Sequence, residues 1–202
     1  MYDFLRFIPE NIPEDIKFGF ENYVIFSEKP DEIPDKFYKG YLIKAENVNE
    51  LISKLRKVKK SQIVGVLSSS IKVNREAIMR KKVDVLLDGE SRKLDYVTIK
   101  LAVEKDVIVE LSLSKYLNVS GFKRTRLFEE DVELIRIINK FNTPFVITSA
   151  ASNLYEMRIK KQIYDFFSFL DADTSKAEKF VVKLIRKYYD PNYIMDGLEI
   201  LK

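Results

Sequence analysis

The chain has 202 residues, 46% hydrophobic and 33% charged, the balance of a globular protein of one domain or at most two small ones. It contains neither cysteine nor histidine, which excludes disulfides, thiolate nucleophiles, thiolate or imidazole zinc sites and every histidine-based acid–base pair. The net charge of +4 conceals an acidic first quarter, net −5 over residues 1–50, followed by a basic second quarter, net +8 over residues 51–100. A basic middle suits a polyanionic partner as well as it suits a solvated lysine-rich surface.

The start, Met1-Tyr2-Asp3-Phe4-Leu5-Arg6, lacks a basic region followed by an apolar stretch, and no apolar run approaches the ~20 residues of a membrane span. The reading is a cytoplasmic protein without a membrane partner. Short apolar runs bounded by Gly, Pro, Asn or Asp then follow one another as candidate strands. They are Tyr2–Phe7, Asn22–Ser27, Gly40–Ala45, Gln62–Ser68, Val83–Asp88, Val107–Ser112, Phe145–Ser149 and Leu198–Leu201. Helical stripes fall between most of them. Val48, Leu51, Ile52, Leu55 and Val58 form the first, opened by the capping box Asn47-x-x-Glu50. Leu94, Val97, Leu101 and Ala102 form the second. Val132, Ile135 and Ile138 form the third, with Glu129, Glu130 and Asp131 suited to its N-terminal dipole. The clearest comprises Ala177, Phe180, Val181, Leu184, Ile185 and Tyr188, opened by Ser175-x-x-Glu178 and closed by Asp190-Pro191. Eight strands with intervening helices and no linker predict one α/β domain over residues 1–202. It would be a small TIM-barrel-like (β/α) barrel, with an open doubly wound sheet as the alternative.

Alternation within the strands selects the inward-facing groups. Tyr41, Ile43 and Ala45 oppose Leu42 and Lys44. Val83, Val85 and Leu87 oppose Asp84, Leu86 and Asp88. Val107, Val109 and Leu111 oppose Ile108, Glu110 and Ser112. With the apolar faces against helices, Lys44, Asp84, Asp88, Glu110 and Ser112 point into the barrel, where charges must pair or sit at a wet mouth. Asp88, Glu110 and Ser149 are conceivable oxygen ligands for magnesium, and Lys44 a Schiff-base lysine of a lyase or aldolase. A structural ion-pair cluster is favoured over both, because no general base is evident.

Basic residues cluster more persuasively. Lys54, Arg56, Lys57, Lys59 and Lys60 lie together with no acid among them. Arg75, Arg80, Lys81 and Lys82 flank a short helix before the fifth strand, and Lys123, Arg124 and Arg126 follow Gly121-Phe122 in an expected loop ahead of a helix. Arg158, Lys160 and Lys161 follow the seventh strand, and Lys176, Lys179, Lys183, Arg186 and Lys187 line the last helix. Cations just before a helix N-terminus gain nothing locally, which hints at external phosphate. No zinc knuckle, helix-turn-helix or aromatic RNP strand is present, so binding would rest on backbone and shape.

The ordered blocks Arg75-x4-Arg80-Lys81-Lys82-Val83-Asp84-Val85-Leu86-Leu87, Leu101 to Leu111, Gly121-x-Lys123-Arg124-x-Arg126, Pro144 to Ala151 and Leu154-x3-Arg158 resemble the archaeal ribonuclease P protein component 3 family. These proteins are relatives of the eukaryotic thirty-kilodalton subunit. The resemblance runs from about residue 75 to 160 and is looser before residue 60. It implies a TIM-barrel-like fold related to the metal-dependent PHP phosphoesterases. That superfamily binds metals through histidines, which this chain lacks, so no metal site is expected. It also implies a subunit of an endoribonuclease whose RNA cleaves the 5′ leader from precursor tRNA using Mg2+. The chain itself would carry no catalytic residue and no cofactor. Its partners would be the ribonuclease P RNA, protein component 2 and the other holoenzyme proteins, with precursor tRNA as substrate. By matching position, the RNA-facing residues implied are Arg75, Arg80, Lys81, Lys123, Arg124, Arg126, Ser149 and Arg158, expected on one side of the barrel.

Overall fold

The structure, a computed structural model, describes residues 1–10, 18–59, 62–195 and 198–199. Seven parallel strands form one sheet in chain order: β1 (Tyr2–Leu5), β2 (Asn22–Ser27), β3 (Tyr38–Lys44), β4 (Ile63–Leu67), β5 (Val85–Leu86), β6 (Ile108–Ser112) and β7 (Phe145–Thr148). A parallel bridge between Leu5 and Ala151, with Arg6 N donating to Ala151 O at 2.8 Å, brings the ends of the sheet together. The barrel therefore closes on seven strands rather than the eight expected. Leu198, placed in the eighth, instead pairs antiparallel in a separate hairpin of β8 (Tyr193–Met195) and β9 (Leu198–Glu199), and Leu201 lies outside the described residues.

Helices return the chain between strands. They are α1 (Val48–Leu55), α2 (Ile71–Ile78), α3 (Tyr96–Glu104), α4 (Ser114–Leu117), α5 (Gly121–Phe141), α6 (Lys160–Phe169) and α7 (Thr174–Tyr189). Asn47 caps α1 by accepting from Glu50 N at 3.0 Å, as the spacing predicts. Three boundaries differ. Leu94 lies before α3. α7 is capped by Asp173, not Ser175, through a 3.0 Å bond from Lys176 N. α5 begins at Gly121, so Lys123, Arg124 and Arg126 occupy its first two turns, while Glu129, Glu130 and Asp131 sit within the helix and cannot serve its N-terminus.

The strand alternation sorts the core into two layers. Phe4, Val24, Phe26, Leu42, Ile63, Val85, Leu87, Ile108 and Val146 fill the barrel interior. Leu5, Ile25, Ile43, Val64, Val66, Leu86, Val109 and Ile147 meet the surrounding helices. The interior is narrow enough to demand glycine on two strands. A Cβ on Gly40 would lie 2.6 Å from the Phe26 ring, and one on Gly65 would lie 2.6 Å from Leu87 Cδ1.

The amino-terminal end of the barrel is closed by α7. Val181, Leu184 and Ile185 join the interior cluster. Tyr188 donates its hydroxyl to the Asp84 carboxylate at 2.7 and 2.8 Å, Lys187 reaches Asp84 at 2.7 Å, and Tyr189 accepts from Lys39 N at 2.7 Å. The fifth strand thus has the opposite parity to that expected: Val85 and Leu87 face inward and Leu86 faces the helices, so Asp84 belongs to the helix plug at the end opposite Asp88 and not to a central inward cluster.

The β1–β7 seam is held by Asp3 and Ser149, both fully buried outside the barrel wall. Asp3 accepts from Ser149 N at 2.7 Å, Ser149 Oγ at 2.6 Å and Phe4 N at 2.9 Å. Burial nevertheless outweighs these bonds and pushes the Asp3 carboxyl up to about 7. A folded-state value above the unfolded one means that the contribution of Asp3 to stability is complete below about pH 3.8 and is lost as pH rises towards 7. Denaturation of Asp3→Asn alongside the parent should therefore show the variant gaining relative stability from pH 4 to pH 7 and levelling above. A constant difference across that window would mean that Asp3 stays charged throughout.

Candidate nucleic-acid interface

The carboxyl-terminal mouth of the barrel, where such folds keep their chemistry, is filled by charges from five elements. Glu110, inward-facing on β6 and fully buried, accepts from Arg6, from Asp88 N at 2.6 Å and from Thr148 Oγ1 at 2.7 Å. Asp88, just beyond β5, meets Arg92 at 3.0 Å and Lys115 of α4 at 2.7 Å, and accepts from Ser112 N at 2.8 Å. Lys115 continues to Asp131 of α5 at 2.7 Å, which also accepts from the Tyr116 hydroxyl. Burial alone would raise the Asp88 carboxyl, but Arg92, Lys115 and the hydrogen bonds to it hold it below its ordinary value. Asp131 lies above its ordinary value because burial outweighs Lys115.

Three cations thus neutralise three carboxylates, which decides between the readings of the inward charges. Asp88 and Glu110 spend their oxygens on protein donors, and Ser149 lies outside the wall with Asp3, so these three residues do not form a magnesium site. Among the described residues no group of carboxylates is arranged to hold a metal ion. Lys44 shares the inward parity of Leu42 but is the last residue of β3. Its side chain is 58% exposed and pairs with Glu28 at 3.3 Å. It lacks the desolvation that makes a lysine nucleophilic, and the aldolase reading falls with it.

The basic candidates do not share one side. In a β/α barrel each helix starts at the carboxyl end of the preceding strand and finishes at the amino end of the next. Arg80 and Lys81, after α2, therefore lie at the amino end. Lys82 Nζ bonds Leu55 O at 3.3 Å there, joining them to Arg56 and Lys57. Lys81, Arg56 and Lys57 have no carboxylate partner among the described residues, but their place after helix C-termini is favourable by itself. Arg75 is spent on the flank, tying α2 to Asp95 and Thr98 of α3. Ser149 is buried and bonded to Asp3, leaving it no surface for a ligand.

Four candidates remain together at the carboxyl end. Lys123, Arg124 and Arg126 are exposed on the opening turns of α5, and Arg158 follows β7. Lys123–Glu90 at 2.6 Å and Arg126–Glu130 at 2.8 Å are exposed pairs, worth little and easily exchanged for phosphate. Arg124 donates to Val119 O, with Nε at 2.8 Å, and Arg158 Nη1 donates to Tyr155 O and Met157 O at 2.7 Å. A cleft of about 740 Å³ runs beside α5, with Lys123 and Arg126 on its rim and Asp88, Arg92, Lys115 and Asp131 at its base. Sequence patterning overlooked two neighbours, Phe122 and Tyr155, whose exposure only the tertiary structure reveals. No helix of the described residues is long and apolar enough to cross a membrane.

Comparison with known proteins agrees with this architecture. The family model described as RNase P subunit p30 matches residues 9–190. Ribonuclease P protein component 3 of Archaeoglobus fulgidus is 50% identical over 200 residues, covering 99% of this chain and 96% of that one. The protein of the same name from Methanocaldococcus jannaschii is 30% identical over 182 residues, 83% of this chain and 76% of its own length. A chain in the cryo-EM structure of archaeal ribonuclease P with mature tRNA superposes with a TM-score of 0.80 at 25% identity, covering 100% of this chain and 98% of that one.

Proposed function

The chain belongs to the RNase P subunit p30 family, and from that membership we propose that it serves ribonuclease P as a non-catalytic protein that binds the catalytic RNA through the basic carboxyl end of the barrel. The observation that carries this reading is the placement of Lys123, Arg124 and Arg126 in the first turns of α5, with Arg158 on the adjoining loop. Cations there oppose the helix dipole, and the exposed pairs Lys123–Glu90 and Arg126–Glu130 offset that only weakly, which leaves stabilisation to be gained from outside the chain. Phosphates supply it: guanidinium groups grip them in pairs, and each contact displaces condensed counterions. The mouth itself, neutralised from within, contributes rigidity rather than hydrolysis. Folding a catalytic RNA crowds phosphates together, and protein cations relieve part of that repulsion. The Mg2+ remains with the RNA, and protein component 2 is the partner with which this chain assists it. The cytoplasm is the compartment this role requires.

The test is reconstituted cleavage of precursor tRNA. Adding the chain with its protein partner should lower the Mg2+ concentration needed for leader removal, and an unchanged Mg2+ dependence would overturn the mechanism. In RNA binding, Arg124→Ala and Arg158→Ala should each flatten the log–log salt dependence by about one unit, because each removes one phosphate contact.

A further inference from the structure

Phe122 is 85% exposed and Tyr155 91% exposed, although burying such rings is among the largest favourable terms open to a fold. Single exposed apolar residues are ordinary; the setting of these two is not. Phe122 is the second residue of α5, directly before Lys123 and Arg124. Tyr155 lies in the short 3-10 helix Leu154–Glu156, three residues before Arg158. The two segments are tied side by side, because Asn118 Nδ2, in the turn before α5, donates to Glu156 Oε1 at 3.3 Å. A guanidinium braces each segment: Arg124 holds Val119 O in the turn that leads into α5, and Arg158 holds the carbonyl of Tyr155 itself. Neither ring stacks on another aromatic of the described residues. The segments that present them are thus held, while the rings are exposed on the same two segments as the cations.

We propose that Phe122 and Tyr155 are stacking platforms for unpaired nucleotides, so that this end of the barrel takes single-stranded or bulged RNA in preference to a duplex. The inference rests on the RNA-binding reading and specifies which form of RNA the site selects. A duplex offers its phosphates to the same cations but keeps its bases stacked on one another. A loop can place a base on each ring, and stacking tolerates any base because every base has a flat face. Interleaving with arginine and lysine favours RNA over a protein partner, which would use the half-exposed aliphatics Leu154 and Ile159 nearby as readily as the rings.

The test uses the full chain with Phe122→Leu and Tyr155→Leu, which keep apolar bulk but remove the aromatic face. Binding is measured to an unstructured oligoadenylate carrying 2-aminopurine and to a blunt RNA duplex of equal length. Each substitution should weaken oligoadenylate binding about tenfold, reduce the quenching of 2-aminopurine, and leave both duplex affinity and salt dependence unchanged. Leucine variants that bind and quench like the parent would overturn stacking, and would assign the rings to a protein partner if Leu154→Ser then weakened binding of component 2. If the ring variants are silent while Arg124→Ala and Arg158→Ala still flatten the salt dependence, only the stacking inference fails. If the arginine variants are silent as well, the RNA-binding reading fails with it.

Discussion

Lys115→Met is expected to cost about 3–5 kcal/mol of folding stability, the penalty for leaving buried carboxylates without their cation. For a chain of this length that corresponds to a fall in Tm of ~6–20 °C. Lys115 is nearly fully buried, and its ammonium lies 2.7 Å from both Asp88 and Asp131. Asp88 would keep Arg92, but Asp131 would retain only the Tyr116 hydroxyl. Asp131, already raised by burial, would then have to take up a proton to stay inside. Its folded-state value would move further above the unfolded one, so the stability it contributes is present at low pH and lost as pH rises. The deficit of the variant should therefore shrink as pH falls through the carboxylate range. Asp131→Asn in the Lys115→Met background should recover part of the loss at neutral pH, since it removes the stranded charge. Thermal melts of the two variants and the parent at several pH values decide the matter. A Lys115→Met protein as stable as the parent at neutral pH would show that the mouth holds no tight charge network.

The strand order and most of the two-layer core were legible because period-two alternation separates the two faces of a strand. Glu110 opposite Val109 and Leu111 is such a case, and it lies inside the barrel as read. β5 reads the wrong way round: both of its faces are apolar, so alternation could not say that Val85 and Leu87 face inward and Leu86 the helices. What failed depends on distances that the sequence does not contain. Ser149 falls on the outward parity of Phe145 and Ile147, and its partner Asp3 stands 146 residues away. Lys44 has the inward parity but sits at the last residue of its strand, so its long stem escapes to water. The start of α5 went unseen because its apolar stripe begins only at Leu127. The first two turns extend past the core, where nothing apolar has to be buried and where the basic residues stand. Arg92, Lys115 and Asp131 carry no local mark of burial, and Asp131 reads as one acid among Glu129 and Glu130. The exposure of Phe122 and Tyr155 is equally invisible, since the same residue types elsewhere in the chain are buried.

Leu184→Ala is expected to lower folding stability by about 2–5 kcal/mol, combining lost apolar burial with the cavity left behind. On a helix against the outer wall, neighbours could relax into part of that space. On α7 they cannot, because Leu184 enters the open end of the barrel beside Val181 and Ile185 and meets side chains fixed on the strands. The bonds from Tyr188 and Lys187 to Asp84 hold the helix in place over that opening, so sliding to refill the gap would break them. Lys179→Ala, on the exposed face of the same helix, should stay within ~0.5 kcal/mol of the parent and serves as the control. The comparison also separates stability from binding. The plug lies at the amino end, and Lys123, Arg124, Arg126 and Arg158 stand at the carboxyl end. Below its melting temperature, Leu184→Ala should therefore show the salt dependence of RNA binding of the parent while Arg124→Ala does not. If Leu184→Ala melts with Lys179→Ala, α7 is not seated in the barrel. If it melts early and also loses the salt dependence, the two ends do not act independently.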